Sequence, residues 1–419
     1  MTGIALVVAF VIAIAAMIVM ISKFKIHPFI SIMLVSLVFG LVAGIPLVNR
    51  TLEDGTTVSG IASVIGAGFS GTFTSIGIVI ILGALVGSIL EATGGAFKLA
   101  DMVVSLVGKK HPEIAMELMG WIVSIPVFCD SGFVILNPIR KAIVQKTAAS
   151  SVMLTVCLSC GLYVSHVFIP PTPGPIAAAG SLGLENDLLL VMGLGVVCSI
   201  LPLIAGVVFA RFIGKRVKAE DEADASGNVA TYEEIKAQYG QLPGGFITLA
   251  PIVVPIVLMA LGSISSMAKW SGFGADLCTF FGTPMIALAM GVVFGVIQLA
   301  VTANLDKFHD LVQETLKTVG PILFITAAGG VLGKVIASTD MVNFIKEQAV
   351  TLEALGIFFP FLLAAILKTA QGSSTVAITT TAGILAPVMA TLGLDTPVAA
   401  ALAVMAIGAG AMTVSHAND

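Results

Sequence analysis

Charged residues are scarce in this chain. Of its 419 residues, 11% are Asp, Glu, Lys or Arg, whereas about 25% is usual in a soluble domain. Hydrophobic residues make up 57% of the sequence. Stretches 3–21 and 28–48 contain no charge, and each approaches or exceeds the roughly 20 residues with which a helix crosses ~30 Å of hydrocarbon. This composition excludes an ordinary soluble domain and predicts a polytopic, all-α membrane protein.

Other absences exclude further classes of protein. The formal net charge is -4 and no basic cluster is interleaved with aromatic residues, so no nucleic-acid partner is predicted. No G-x-x-x-x-G-K-[S/T] motif is present, which argues against ATP-driven transport. The five cysteines lie in apolar stretches and are expected to be free; Cys157 and Cys160 form a lone C-x-x-C, which favours small residues on a packed helix. No metal or cofactor is predicted.

The positions of the cations predict the orientation of the first helices. Lys23, Lys25 and His27 follow the first helix and no cation precedes it, so the positive-inside rule places the N-terminus outside. The loop 49–60 would then be external. A third helix, 75–91, would return the chain to an internal segment that carries three lysines.

Two apolar segments are interrupted by polar residues. Segment 112–146 is broken at Cys129 to Gly132, and Arg140, Lys141 and Lys146 lie in its last part. If this segment returns to the side it entered from, those cations lie inside, as the positive-inside rule favours. We therefore predict a re-entrant hairpin with its tip at Asp130 to Gly132, and a second hairpin over 355–390 with its tip at Thr369 to Thr375.

The proline-rich sequence IPPTPGP at 169–175 breaks a predicted helix over 150–183. Helices at 188–210, 246–264, 279–301 and 318–337 follow, and a second broken helix covers 397–419, after which a final helix is predicted to be missing. The polar stretch 211–245 predicts a cytoplasmic linker. The chain thus divides into a first membrane half (1–210), the linker and a second membrane half (246–419).

Three groups of residues recur in the same order in the two halves. Gly83, Gly87 and Thr93 reappear as Gly329, Gly333 and Thr339; the first tip corresponds to the second; and Val164-Ser165-His166 reappears as Val414-Ser415-His416. With opposite predicted orientations, this order indicates an inverted repeat, a construction that many secondary transporters use. Unwound backbone at membrane depth is tolerated where it is buried in protein or lines a wet cavity. The tips and broken helices are therefore expected to converge near the midplane, with half-helix N-termini directed at an anion.

Individual ionisable residues carry further expectations. Asp130 is interpreted as the only acid in the apolar core of the first hairpin, and an acid at membrane depth usually has a function. His166 and His416 either take part in proton coupling or bond a neighbouring carbonyl. Lys334 and Lys368 are expected to snorkel to a membrane interface, although Lys368 stands near the second tip and could attract an anion.

The segments PVFCDSGFVILNPI, HVFIPPTPGP, KTAQGSSTVAITTTAGI and SHAND resemble the gluconate permease family of the wider ion transporter superfamily. The resemblance covers essentially the whole chain and implies proton symport of gluconate and related hydroxy acids, a homodimer and an elevator mechanism. It also implies substrate-binding residues at the tips and broken helices: Asp130, Ser131, Gly132, Thr172, Gly372, Ser373, Ser374, Thr375, Ser415 and Asn418. The implied proton-coupling candidates are Asp130, His166, His416 and Asp419.

One departure from the family affects the expected substrate. Gluconate-type members commonly have a glutamate, a valine and a glycine where this chain has Asp130-Ser131-Gly132. Both gluconate and a smaller acid such as glycerate are therefore substrate candidates. The predicted function is a symporter in the bacterial inner membrane that imports a small hydroxy-carboxylate or sugar acid. Protons are the first candidate for the coupling ion and sodium is the second.

Two other function classes stay open at this point. A channel would be excluded by saturable, gradient-dependent uptake. An intramembrane hydrolase could use Ser131 with His166 or His416, but the chain has no G-x-S-x-G motif. Product analysis after incubation with substrate separates that class from a transporter.

Overall fold

The computed structural model describes residues 3–51, 57–107, 111–147, 149–217, 219, 242–340, 356–371 and 373–413. In these ranges the chain is mostly helical, as its composition predicts. The exception is a short antiparallel pair, β1 (Arg50–Thr51) and β2 (Thr57–Val58), within the loop 49–60.

The helices before residue 241 are α1 (Gly3–Ser22), α2 (Pro28–Ala43), α3 (Ile61–Thr72), α4 (Ile78–Ala92), α5 (Gly95–Val107), α6 (Pro112–Val123), α7 (Cys129–Thr147), α8 (Ser151–Phe168), α9 (Pro173–Ser181) and α10 (Leu188–Ile213). A π-helical turn, Phe73–Gly77, joins α3 to α4. The later helices are α11 (Gly245–Met267), α12 (Phe273–Gly282), α13 (Pro284–Val301), α14 (Phe308–Ala337), α15 (Phe358–Gln371), α16 (Ser374–Leu385) and α17 (Pro397–Ala411). Short 3₁₀ turns lie at Leu305–Lys307, Ala386–Val388 and Ala390–Leu392.

Seven apolar helical segments among the described residues are long enough to cross a membrane. They are Ile4–Ser22, Ile61–Ala92, Ser151–Ser181, Leu188–Ile213, Gly245–Ser265, Pro284–Val301 and Leu305–Ala337. Four further apolar helices, α2, α15, α16 and α17, are shorter. The chain is therefore a multi-pass membrane protein.

Local sequence explains where many of these helices begin and end. Helices α2, α6, α9, α13 and α17 begin at a proline, whose missing N–H costs nothing in the first turn. Ser150, Ser373 and Thr396 cap the N-termini of α8, α16 and α17 through side-chain oxygens. Helix α2 ends at Gly44, whose φ of 101° is in the left-handed region that favours glycine. The predicted helix 28–48 is accordingly shorter than expected.

Three helical boundaries differ from the sequence prediction. The third membrane segment begins at Ile61 rather than at residue 75, because α3 is rich in glycine and serine and its apolar character is diluted. Helix α5 occupies a segment that was predicted only as an internal connection. Helix α14 begins at Phe308, ten residues before the predicted start, because its first three turns carry charged residues.

The described chain divides into two compact units, and each draws on both halves of the sequence. Unit 1 comprises Met1–Ile80, Pro173–Leu194 and Thr318–Asp419; unit 2 comprises Ile81–Thr172 and Gly195–Lys317. In unit 1, α16 packs on α9, α15 and α17, while α1 packs on α2 and α15. In unit 2, α6 packs on α5, α7 and α8, and α11 packs on α12 and α13.

The core of unit 2 forms between α5, α6, α7 and α8. Fully buried side chains such as Phe97, Met116 and Leu158 belong to one hydrophobic cluster. Helices α6 and α8 approach closely at glycine: a Cβ placed on Gly120 would lie 2.7 Å from the backbone oxygen of Leu158. Small residues at such crossings let membrane helices pack backbone to backbone.

Candidate functional site

The first interruption lies between α6 and α7 in unit 2. Helix α6 ends at Val123, a turn follows, and α7 begins at Cys129. The Ser124 hydroxyl donates to the backbone oxygen of Val127 (3.2 Å) and closes the turn. The predicted tip, Asp130 to Gly132, thus lies in the first turn of α7, a few residues after the observed turn. The side chains of Asp130 and Ser131 lie outside the described part of the structure.

Gly132 is buried and leaves room for a neighbouring helix. Its N–H donates to the backbone oxygen of Phe128 (2.8 Å). A Cβ at this position would lie 2.7 Å from Leu162 Cδ2 on α8. The glycine therefore allows the N-terminal turn of α7 to pack against α8.

The second interruption is the proline-rich stretch after α8. His166 and Thr172 are both buried there, with 8% and 4% of their surface exposed. The Thr172 hydroxyl donates to the backbone oxygens of Ile169 (2.7 Å) and His166 (3.0 Å). Its proton is therefore already used to close the helix end, and Thr172 can offer a ligand only its oxygen lone pairs.

Helices α9 and α16 of unit 1 run side by side and parallel. In the first turn of α9, a Cβ placed on Gly174 would lie 3.2 Å from Ile378 Cδ1, in the second turn of α16. At the opposite ends, Gly180 and Gly383 line the same cavity. Both N-termini follow an interruption of the chain, so the positive ends of two helix dipoles lie next to each other. Such an end is suited to bind an anion.

The hydroxyl residues of a third interruption, between α15 and α16, lie at this same end. Helix α15 ends at Gln371, and Ser373 caps α16 by accepting from the N–H of Val376 (3.4 Å). Ser374, the first residue of α16, is fully buried. Ser373 and Ser374 thus place two hydroxyl groups in the N-terminal turn of α16.

Sequence reasoning missed a run of threonines further along α16. Thr379, Thr380 and Thr381 are all buried, and the hydroxyls of Thr380 and Thr381 have no hydrogen-bond partner among the described residues. The signal was present as TTT at 379–381, just beyond the predicted hairpin tip.

A cavity of about 380 Å³ lies at the other end of this helix pair in unit 1. A Cβ placed on Gly333 of α14 would collide with the backbone oxygen of Gly383 on α16. A Cβ on Gly329, one turn earlier in α14, would lie 3.2 Å from the backbone oxygen of Thr379, one turn earlier in α16. Helix α14 therefore also runs parallel to α16. Lys334, whose side chain is exposed, lines the cavity near the C-terminal ends of the three helices. The negative dipole ends of these helices make this end a poor anion site, and the positive charge of Lys334 complements them.

Two cations differ from their predicted positions. Lys368 is fully buried within unit 1, so it does not snorkel to an interface. Arg140 is 5% exposed; its Nε donates to Asn137 Oδ1 (2.8 Å), and its guanidinium also bonds the Ser151 side chain. It fixes α7 to the start of α8 and is not a loop cation. Lys141 beside it is exposed.

The statement that Asp130 is the only acid in the apolar core of the first hairpin is wrong. Glu117 of α6 is 2% exposed. The spacing of Glu113 and Glu117 at i and i+4 was the signal that could have placed both acids on one packed face. The predicted site residues Gly372, Ser415, His416, Asn418 and Asp419 lie outside the described residues.

Residues 5–419 match the sequence model of the GntP family permeases. The chain belongs to the GntP permease family. This confirms the predicted resemblance to the gluconate permeases. A Haemophilus influenzae protein named as an uncharacterized permease is 32% identical to it over 99% of this chain and 83% of its own length. The gluconate permease of Pseudomonas aeruginosa is 29% identical over 97% of this chain and 87% of its own length.

A further relative of this GntP family permease is the high-affinity gluconate transporter of Escherichia coli. It is 29% identical over 95% of this chain and 86% of its own length. The matched family and these relatives are permeases and transporters rather than enzymes. The expectation of a membrane transporter without enzymatic activity is therefore confirmed.

Two solved transporter structures share the fold of this GntP family permease. The Alcanivorax borkumensis YdaH transporter matches with a TM-score of 0.61 and 15% identity, over 92% of this chain and 87% of that one. Neisseria gonorrhoeae MtrF matches with a TM-score of 0.60 and 14% identity, over 94% and 86%. At these identities the similarity concerns the fold alone.

Proposed function

We propose that this GntP family permease is a symporter that imports a sugar acid or a small hydroxy-carboxylate together with protons. The observation that carries the proposal is the parallel packing of α9 and α16 in unit 1, which brings two helix N-termini together directly after two chain interruptions. Such a pair of N-termini can hold a carboxylate without a lysine or an arginine.

The relatives supply the substrate class. Two of them are named for gluconate, which is a hydroxylated carboxylic acid. We therefore assign the carboxylate of the substrate to the N-terminal turns of α9 and α16, and its hydroxyls to side chains that can both donate and accept. Gluconate is the first candidate, and the altered Asp130-Ser131-Gly132 sequence keeps a smaller acid such as glycerate as the second.

The proposed binding residues of unit 1 are Ser373, Ser374 and Thr375, which begin α16. For unit 2, the family resemblance adds Asp130, Ser131, Gly132 and Thr172. The remaining proposed residues are Gly372, Ser415 and Asn418. Asp130, His166, His416 and Asp419 are the proposed proton-coupling residues.

The mechanism that we propose is elevator-type alternating access in a homodimer. Each chain is proposed to contain an inverted repeat with two re-entrant hairpins. Its N-terminus is proposed to lie outside the bacterial inner membrane. In both halves the matched glycine lies against a predicted hairpin, although at different arms, since Pro126 precedes the first tip and Gly383 follows the second. In unit 2, Gly87 of α4 packs against the backbone oxygen of Pro126 in the first interruption. In unit 1 its predicted equivalent, Gly333 of α14, packs against Gly383 of α16, the second arm of the second hairpin.

Uptake into proteoliposomes tests the function. The purified permease should accumulate labelled gluconate, glycerate or a related acid against its gradient when the lumen is made alkaline, and an imposed sodium gradient should not replace the proton gradient. Accumulation driven by sodium alone would contradict the proton coupling. Non-saturable flux without accumulation would instead indicate a channel, and chemical conversion of the acid would indicate a hydrolase.

A further inference from the structure

Glu117 is a buried acid to which neither the family resemblance nor the proposed binding site gives a role. It lies on α6 in unit 2 and is 2% exposed. Its Oε1 has no hydrogen-bond partner among the described residues, and the polar neighbour of the carboxyl group is the Cys160 thiol on α8. An acidic side chain held this way inside a membrane protein is costly and usually functional.

Two glycines form the space that holds this carboxyl group. A Cβ placed on Gly206 of α10 would collide with Glu117 Oε1 and with Cys160 Sγ. A Cβ on Gly161 of α8 would collide with the backbone oxygen of Glu117. The side chain therefore lies in a close-fitting slot between α6, α8 and α10.

The charged groups around the slot do not neutralise Glu117. Arg211 of α10 is bound to Glu113, one turn before Glu117, at 2.6 Å. The titratable groups of α8 that interact with Glu117 are the thiols of Cys157 and Cys160, which are weak acids and supply no positive charge. Helix α5 carries Lys98, which is not among the groups that act on the Glu117 carboxyl group.

Helix α7, which also packs on α6, carries Arg140 and Lys141. Arg140 is bonded to Asn137 and Ser151, and Lys141 is exposed. An ionised carboxylate buried without a paired cation costs several kcal/mol, so this packing favours the neutral acid.

Helix α10 has a weak point opposite the carboxyl group. Pro202 lies inside α10 and removes a backbone hydrogen bond, and its own carbonyl accepts the Cys160 thiol at 3.8 Å. Gly206 follows one turn later. Proline and glycine in the same stretch lower the cost of bending a helix, and a bend there would admit water to Glu117.

We propose that Glu117 binds and releases a transported proton, in the slot between α6, α8 and α10. The carboxylate takes one proton from water on one side of the membrane, holds it as the neutral acid in the packing seen here, and releases it when α10 bends and the slot is hydrated on the other side. No other bond forms or breaks. This inference rests on the proposed proton symport and adds a residue to its coupling path.

Glu117→Gln tests the proposal because it keeps the shape of the side chain and removes its titration. We expect proton-driven accumulation of the labelled acid to fall about tenfold or more, while exchange of internal for external substrate without a gradient stays within about twofold of the parent. Glu113→Gln is the matched control: it removes the acid one turn away, and we expect it to retain accumulation and its dependence on external pH.

A purely structural role would give a different result, since a packing defect lowers exchange and accumulation together. Accumulation by Glu117→Gln equal to that of the parent, with the same pH dependence, would overturn the proposal. So would an equal loss of exchange and accumulation in a variant that remains folded.

Infrared spectroscopy supplies a readout that does not depend on transport. The C=O stretching band of a protonated carboxylic acid should be present in the parent and in Glu113→Gln, and should be weakened in Glu117→Gln and shifted in Glu117→Asp. An unchanged band in Glu117→Gln would show that Glu117 holds no proton. If the parent accumulates no acid under a proton gradient, the proposed symport fails, and the infrared comparison still decides the protonation of Glu117.

Discussion

Replacing Gly383 by alanine should separate two helices that meet at their backbones in unit 1. A Cβ at this position would lie 2.5 Å from the backbone oxygen of Gly329 on α14. Carbon and carbonyl oxygen normally approach to about 3.4 Å, so α16 must move away from α14 by about 0.9 Å. Neither backbone can yield locally as a flexible side chain would.

The cost of this shift follows from the packing that it disrupts. Overpacking of a close helix contact typically costs about 1–3 kcal/mol. Because α16 carries Ser373 at its N-terminal cap, the same displacement moves proposed substrate-binding groups. A misplacement of about 1 Å can reduce a site's efficiency by up to about 100-fold, so we expect Vmax/KM for acid uptake to fall at least tenfold.

The measurements are thermal unfolding of the detergent-solubilised permease and initial rates of uptake into proteoliposomes. Gly320→Ala is the matched control, since Gly320 lies on α14 and nothing stands within 4 Å of its added Cβ. Alanine is favoured over glycine in a helix by about 0.5–1 kcal/mol, so this control should unfold at the same or a higher temperature. If Gly383→Ala were as stable and as active as Gly320→Ala, the inferred backbone contact of α14 and α16 would be refuted.

Three further predictions concern topology, the linker and coupling. Lys141→Cys should react with impermeant reagents only from the cytoplasmic side, and labelling from the periplasm would contradict the first re-entrant hairpin; buried Arg140 is unsuitable for this test. Shortening the segment 220–240 should leave uptake intact, because it carries no proposed ligand, and loss of uptake in a stably inserted variant would count against that. Asp130→Asn should abolish gradient-driven accumulation and keep part of the exchange activity; unchanged accumulation with unchanged pH dependence would move the coupling role to other residues.

The sequence was sufficient to predict most helices and interruptions. Apolar runs of about 20 residues mark membrane helices because hydrocarbon admits few charges. Prolines mark helix starts and breaks because they lack an N–H, which is why the break between α8 and α9 lies where IPPTPGP predicted it. Helices α3 and α5 escaped prediction because glycine-rich and amphipathic segments lack that uniform apolar signal.

Side-chain environments were less predictable, because burial depends on neighbours that are distant in sequence. Arg140 looked like a loop cation, yet Asn137 and Ser151 satisfy its guanidinium inside unit 2. Lys368 looked long enough to reach an interface, yet it is fully enclosed. Glu117 carried no prediction from the sequence, yet its carboxyl group lies against Gly206 of α10 inside unit 2.

The pairing of α9 with α16 shows what sequence periodicity alone cannot supply. The interruptions before these helices are about 200 residues apart in the chain, and each could be assigned separately from proline, glycine and hydroxyl residues. The parallel direction follows from two observations. Gly174 lies against Ile378 at one end of the pair, and Gly180 and Gly383 line one cavity at the other end. An antiparallel pair would cancel the two dipoles, whereas the parallel pair adds them at the N-termini. The direction of packing, more than the composition of either interruption, is therefore what makes this end of unit 1 suited to a carboxylate.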